Sequence, residues 1–246
     1  MKILVTPRSF KNSVNDEARE KLERFAEVKA VRPEKPFTED ELIALLDGCD
    51  GYVAGLDNVT AKVIENCPQL KVISRWGVGY DKVDTAAASK AGITVTYTPG
   101  VMAVSVAELA LGLMLDCARR ITVQDGQVRG GAWAPINGME LFGKTVGIIG
   151  YGAIGKQLGR LTNGIGMTTY AYDPFMNEAY AKEHNVLAAD IDFIVRNCDI
   201  VSVHVPYMES TKNIISRERI FSMKDGAILI NAARGLSLLH ISEPTR

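Results

Sequence analysis

The chain has 246 residues, 47% of them hydrophobic and 23% charged, which is ordinary for a soluble globular protein and enough for two small domains or one large one. A net charge of −1 gives no electrostatic basis for binding nucleic acid or an anionic membrane. No apolar run reaches the roughly 18–20 residues that cross a bilayer; the longest, Val101 to Cys117, contains Glu108 and Asp116. The N-terminus lacks the layout of a signal peptide, and Cys49, Cys67, Cys117 and Cys198 form no C-x-x-C pair and no metal-ligand spacing with a histidine. Reduced core thiols, no bound metal and a cytoplasmic location are therefore expected.

Residues 1–99 alternate between strand and helix patterns. Ile3–Thr6 is a continuous apolar strand, Asn15–Phe25 a charged amphipathic helix with Asn15 as its cap, and Val28–Val31 a second strand. Thr38-Glu39-Asp40-Glu41 reads as a capping box opening a helix through Leu46. Then follow a strand at Gly51–Gly55, a helix at Thr60–Asn66 stopped by Pro68, a strand at Lys71–Ser74, a helix at Val83–Lys90 and a strand at Ile93–Tyr97. Strands interleaved with helices predict a parallel sheet covered on both faces.

The pattern changes at Pro99-Gly100. Residues 101–121 read as one long helix, more apolar than a single face requires and carrying small residues at Ala103, Ala107, Ala110 and Gly112. Such a helix is buried within its domain, between domains or at a subunit interface. Residues 124–141 look irregular, anchored by Trp133 and Pro135. Beyond the stretch from Thr145 to Asp173, helices are expected at Asn177–His184, Asp190–Asn197 and Ser216–Phe221, and strands at Ile200–Val205 and Ala227–Asn231.

The stretch from Thr145 to Asp173 carries the strongest local signal. A short apolar strand runs into Gly150-Tyr151-Gly152-Ala153-Ile154-Gly155, a helix follows, and a second strand ends at Asp173. Gly150 suits the tight turn, Gly152 lets the backbone approach a pyrophosphate, and Gly155 lets the helix pack on the strand. The helix start at Ala153 directs its free N–H groups and positive dipole end at the phosphates. Asp173 lies roughly 20 residues on, the spacing for accepting hydrogen bonds from a ribose diol. It is followed by Pro174 and Phe175, with no Arg or Lys beside it, which favours NAD over NADP.

Five segments together resemble the D-isomer-specific 2-hydroxyacid dehydrogenases, the phosphoglycerate dehydrogenase-like family. They are Arg75-Trp76-Gly77-Val78-Gly79-Tyr80-Asp81, Ser105-Val106-Ala107-Glu108-Leu109-Ala110-Leu111, the run from Gly143 to Gly155, His204-Val205-Pro206, and Asn231-Ala232-Ala233-Arg234-Gly235. The resemblance implies an α/β fold of two doubly wound parallel-sheet domains. These are a flavodoxin-like substrate domain over residues 1–99 and a Rossmann NAD-binding domain over residues 100–235, the second incomplete. It implies a small-molecule 2-hydroxy or 2-oxo acid as partner, and a homodimer built through helix 101–121.

The resemblance also assigns residues. The loop holding Arg75, Gly77, Val78 and Gly79 offers backbone N–H groups to the substrate carboxylate, as consecutive amides in a glycine-rich loop do for anions. Arg234 binds that carboxylate and polarises the carbonyl, a task suited to a guanidinium fork. Ala153, Ile154, Val205, Ala232 and Ala233 line the cofactor mainly through backbone atoms, and Val78 borders the nicotinamide. His204 and Pro206 lie beside the dinucleotide, and His204 is not the proton donor. In the family that proton comes from a histidine tuned by a glutamate, both downstream of the arginine motif.

Residues 236–246 do not resemble the family's continuation; His240 and Glu243 have the right types in the wrong order and spacing. The tail reads as adapter sequence joined to a truncated gene, or as a natural truncation, and a chain so ended is expected to be marginally stable and nearly inactive. Near the first strand, Arg8 and Lys11 are placed to meet a second anionic group, which favours 3-phosphoglycerate as substrate. The alternatives are a glyoxylate or hydroxypyruvate reductase, and a non-catalytic NAD-sensing binding protein.

Overall fold

The computed structural model describes residues 1–11, 16–32, 34–206 and 208–237. Asn15 and the tail residues His240 and Glu243 lie outside them. The chain divides into two compact units, Met1–Val101 and Met102–Arg246.

In the first unit the strands are β1 (Lys2–Val5), β2 (Glu27–Ala30), β3 (Gly51–Ala54), β4 (Val72–Arg75) and β5 (Thr94–Thr96). They form a parallel sheet in the order β2-β1-β3-β4-β5, the flavodoxin-like order. The helices are α1 (Asp16–Glu23), α2 (Glu39–Leu46), α3 (Ala61–Glu65) and α4 (Thr85–Lys90). Alternation along β1 divides the core: Leu4 joins Leu42, Leu46, Tyr52, Ile64 and Ile73 on one face, while Ile3 and Val5 join Phe10 on the other. The capping box forms as expected, with the Thr38 amide donating to Glu41 Oε2 at 2.8 Å and the Glu41 amide to Thr38 Oγ1 at 3.4 Å.

The second unit opens with α5 (Ala103–Arg119) and α6 (Ile121–Arg129). Its strands are β6 (Thr145–Ile149), β7 (Thr168–Tyr172), β8 (Val186–Ala188), β9 (Ile200–Val203) and β10 (Ile228–Asn231), parallel and ordered β10-β9-β6-β7-β8. Numbered within the unit this is the 3-2-1-4-5 order of a dinucleotide-binding sheet. The remaining helices are α7 (Ala153–Gly164), α8 (Glu178–Glu183), α9 (Ile191–Asn197) and α10 (Arg217–Phe221). Helix α5 packs on α7 through a buried row of Ala103, Ala107, Ala110, Met114 and Ala118. Its outer side leaves Val104, Leu109, Leu113 and Leu115 exposed.

Several sequence expectations change. The single helix over residues 101–121 is two helices, because Arg120 takes a left-handed conformation at φ 55°. The Asp116 carboxylate then accepts from the Thr122 amide at 2.7 Å and its hydroxyl at 2.8 Å, so a side chain of α5 caps the start of α6. Residues expected to be irregular from 124 are helical to Arg129, and Trp133 is 90% exposed rather than an anchor within this chain. Strand β8 was not expected; it follows Asn185, which turns the chain at φ 54°. Cys49, Cys67 and Cys198 are buried as expected, whereas Cys117 is exposed. Among the described residues no helix is long and apolar enough to cross a membrane.

Both sheets are clamped the same way at their amino edges. Asp50, just before β3, accepts from the Lys2 amide at 3.0 Å and pairs with Lys71 at 2.7 Å. Asp199, just before β9, accepts from the Thr145 amide at 2.9 Å and pairs with Lys224 at 3.0 Å. Burial opposes ionisation of Asp199, but hydrogen bonds from Thr145 and Lys224 outweigh it and bring the carboxyl down to about 2.

Candidate functional site

Ile149, Tyr172, Val203 and Asn231 lie in register at the carboxyl ends of β6, β7, β9 and β10. Every segment singled out in the second half of the sequence leaves the sheet at this edge. This is where ligands bind open parallel sheets.

The turn after β6 is tightly built. Gly150 sits at φ 98°, and a Cβ there would lie 2.8 Å from the backbone carbon of His204, so only glycine fits. A Cβ at Gly155 would lie 2.3 Å from the Gly150 carbonyl oxygen, which fixes how closely α7 approaches the turn. Gly152, by contrast, faces open space, with no atom within 4 Å of a Cβ position. It begins α7 with no side-chain cap, so the first-turn amides, those of Ala153 and Ile154 among them, keep their donors for a ligand.

Asp173 follows β7 and is drawn to the turn. Its Oδ2 accepts from the Tyr151 amide at 2.9 Å and its Oδ1 from the Phe175 amide at 2.9 Å. The acid thus couples the second strand to the glycine turn, a role its sequence spacing did not reveal. Open space above a helix N-terminus, with a carboxylate at the next strand tip, fits a dinucleotide. The turn's amides and the α7 terminus would hold the pyrophosphate, and Asp173 the ribose.

His204, Val205 and Pro206 follow β9. The His204 amide donates to the Ile149 carbonyl at 2.7 Å, and Nε2 lies 2.8 Å from Ser202 Oγ. Nδ1 is buried with no hydrogen-bond partner among the described residues. Burial pushes the imidazole down to about 4, which keeps the ring neutral at pH 7. Val205 is buried.

Arg234 follows β10 on a turn that Asn231 organises. Asn231 Nδ2 donates to the Arg234 carbonyl at 2.9 Å, and the Ala233 amide donates to Asn231 Oδ1 at 3.0 Å. Ala232 and Ala233 are half-buried, and the Arg234 side chain is exposed. The sequence placed Asn231 at the end of a strand and in the arginine motif but did not give it this turn-forming role.

The first unit has its own concavity at the carboxyl edge of its sheet, a cavity of about 380 Å³. Arg8, Lys35 and Arg75 line it, with Thr6, Pro7, Ser9, Pro36, Gly55, Leu56, Asp57 and Trp76. Arg8 belongs to the turn after β1, Lys35 to the segment before α2, and Arg75 to the end of β4. In the loop after β4 the Trp76 amide donates to Ala54 and the Gly77 amide to Arg75, with Gly77 at φ 138°. The next amides of the loop, those of Val78 and Gly79 among them, have no backbone acceptor among the described residues. Nothing is described of the Lys11 side chain; the second cation on this cavity is Lys35, which the sequence did not single out.

The chain is thus made of two α/β units, one carrying a dinucleotide-type glycine turn and one a cavity lined by Arg8, Lys35 and Arg75. Residues 111–239 match the D-isomer specific 2-hydroxyacid dehydrogenase, NAD binding domain. The chain is 43% identical over 200 residues to the hydroxypyruvate reductase of Thermotoga maritima, covering 80% of this chain and 64% of that protein. It is 38% identical over 239 residues to the D-3-phosphoglycerate dehydrogenase of Methanocaldococcus jannaschii, covering 96% and 44%. The chain therefore spans less than two thirds of these relatives' lengths. In structure it resembles the D-lactate dehydrogenase of Aquifex aeolicus complexed with NAD and lactic acid, with TM-score 0.81, 29% identity, and 96% and 70% of the two chains covered. The chain belongs to the D-isomer specific 2-hydroxyacid dehydrogenase family, and its second unit is that family's NAD-binding domain.

Proposed function

We propose that this protein is an NAD-dependent dehydrogenase that interconverts a 2-hydroxy acid and its 2-oxo acid. The register that gathers the Gly150 turn, Asp173, His204 and Arg234 at one sheet edge carries this reading. NAD would accept the hydride from the carbinol carbon, and the hydroxyl proton would pass to a base outside the described residues. Gly150, Gly152, Ala153, Ile154 and Gly155 hold its pyrophosphate, Asp173 selects NAD over NADP, and Val205, Pro206, Ala232 and Ala233 line the dinucleotide beside a neutral His204. Arg234 binds the carboxylate and polarises the reacting carbonyl, while the loop of Arg75, Gly77, Val78 and Gly79 offers amides to the same acid group.

The preferred substrate in this reading is 3-phosphoglycerate. The cavity lined by Arg8, Lys35 and Arg75 supports it, since three cationic residues around one cavity suit a second anion. The 43% identity to a hydroxypyruvate reductase favours the unphosphorylated analogue as the second reading. Steady-state NAD reduction, expected to be slow for this chain, compared between 3-phosphoglycerate and D-glycerate separates the two. A higher kcat/KM for 3-phosphoglycerate is expected; the reverse order would replace it with the reductase reading. The exposed apolar residues of α5 support a homodimer through that helix.

A further inference from the structure

Asp57 lines the cavity of the first unit yet is only 2% exposed. A carboxylate taken out of water is retained where hydrogen bonds compensate it. Three do so here. The Thr6 and Tyr52 hydroxyls donate to Oδ2 at 2.6 and 2.7 Å, and the Phe37 amide donates to Oδ1 at 2.9 Å. The Thr6 hydroxyl in turn accepts from the Gly55 amide at 3.0 Å.

Thr6 and Phe37 come from segments far from Asp57 in the chain, and each adjoins a wall of the cavity. Thr6 precedes Pro7 and Arg8; Phe37 follows Lys35 and Pro36; Gly55 and Asp57 flank Leu56. One buried carboxylate therefore ties together the turn after β1, the segment before α2 and the turn after β3. Strands β1 and β2 pair as far as Val5 and Ala30, and the Val31 amide donates to the Val5 carbonyl at 2.9 Å; beyond that point Asp57 bridges the Arg8 and Lys35 segments through Thr6 and Phe37.

We propose that Asp57 is a positioning residue: it sets the separation of the Arg8 and Lys35 segments and thereby the selectivity for a 2-hydroxy acid bearing a second anionic group. This rests on the reading of the cavity as the place for that group. Asp57 acts through the two cations, and its oxygens are already committed to protein donors. Holding both cations at a fixed distance before the ligand arrives lowers the ordering cost of binding a compact dianion.

The test uses Trp76, one of two tryptophans in the chain and a lining residue of the cavity, as a fluorescent reporter in a Trp133→Phe background. Binding of 3-phosphoglycerate and of D-glycerate is titrated for the parent protein, Asp57→Asn and Tyr52→Phe. Asn keeps one acceptor oxygen, and Phe removes a single hydrogen bond, so one variant remains informative if the other fails to fold. The expected result is a loss of about tenfold in 3-phosphoglycerate affinity for Asp57→Asn, a smaller loss for Tyr52→Phe, and D-glycerate binding within about twofold of the parent. Equal losses for both ligands, or unchanged selectivity in folded variants, would overturn the positioning role while leaving the cavity's reading intact. A parent protein that binds 3-phosphoglycerate no better than D-glycerate would overturn both.

Discussion

Arg234 is the residue on which the proposed chemistry turns. Its side chain is exposed on a turn that Asn231 holds, so replacing it leaves the fold in place. Arg234→Lys retains charge but loses the planar fork, and is expected to lower kcat/KM about 100-fold while NAD affinity, read by calorimetry, stays within about twofold. Asp173→Asn keeps an acceptor for the Tyr151 amide but removes the charge. It is expected to weaken NAD by about tenfold and to narrow the gap to NADP in a paired titration. His204 gives a prediction about pH. Its imidazole, at about 4 in the fold against 6.5 in the unfolded chain, stays neutral while the unfolded chain takes up a proton. Stability therefore falls as pH drops from 6.5 toward 4, by at most on the order of 3 kcal/mol. His204→Gln should flatten that part of a stability–pH curve; an unchanged slope would mean other groups set it. The carboxylates with lowered values, Asp199 foremost, lose their contribution at lower pH, below about 4.

At the scale of elements, the strand–turn–helix–strand unit around Gly150 was legible because each part carries a local constraint: a left-handed turn, a close contact, an acid at the second strand's tip. The break between α5 and α6 was not legible, because Arg120 in a left-handed conformation is held by Asp116 and Thr122, with no glycine to announce it. Arg120→Gly is expected to raise stability by roughly 0.5 kcal/mol in chemical denaturation, relieving the only strained joint of that pair. Strand β8 escaped because three residues at a sheet edge show no periodicity of their own. Asp57 escaped for a different reason. Its partners Thr6 and Phe37 are distant in sequence, and a lone acid before Asn58 reads as a turn. The Asp199 clamp was equally hidden. Asp199→Ala is expected to lower stability on the order of 1 kcal/mol once solvent screening is counted, measured by thermal unfolding of the whole chain.

For the molecule as a whole, the exposed Val104, Leu109, Leu113 and Leu115 on α5 set an expectation about assembly. Leu109→Glu with Leu113→Glu should convert the protein to monomers in light scattering; a parent that is already monomeric at micromolar concentration would remove the proposed dimer. The clamps at Asp50 and Asp199 add a consequence of another kind. They sit at the entrance edges of both sheets, whereas Arg8, Lys35, Arg75, Gly150 and Arg234 leave from the opposite edges. The two clamps are thus spatially separate from the loops proposed to meet ligands, so an engineer can graft a relative's ligand loops onto this scaffold without touching either clamp.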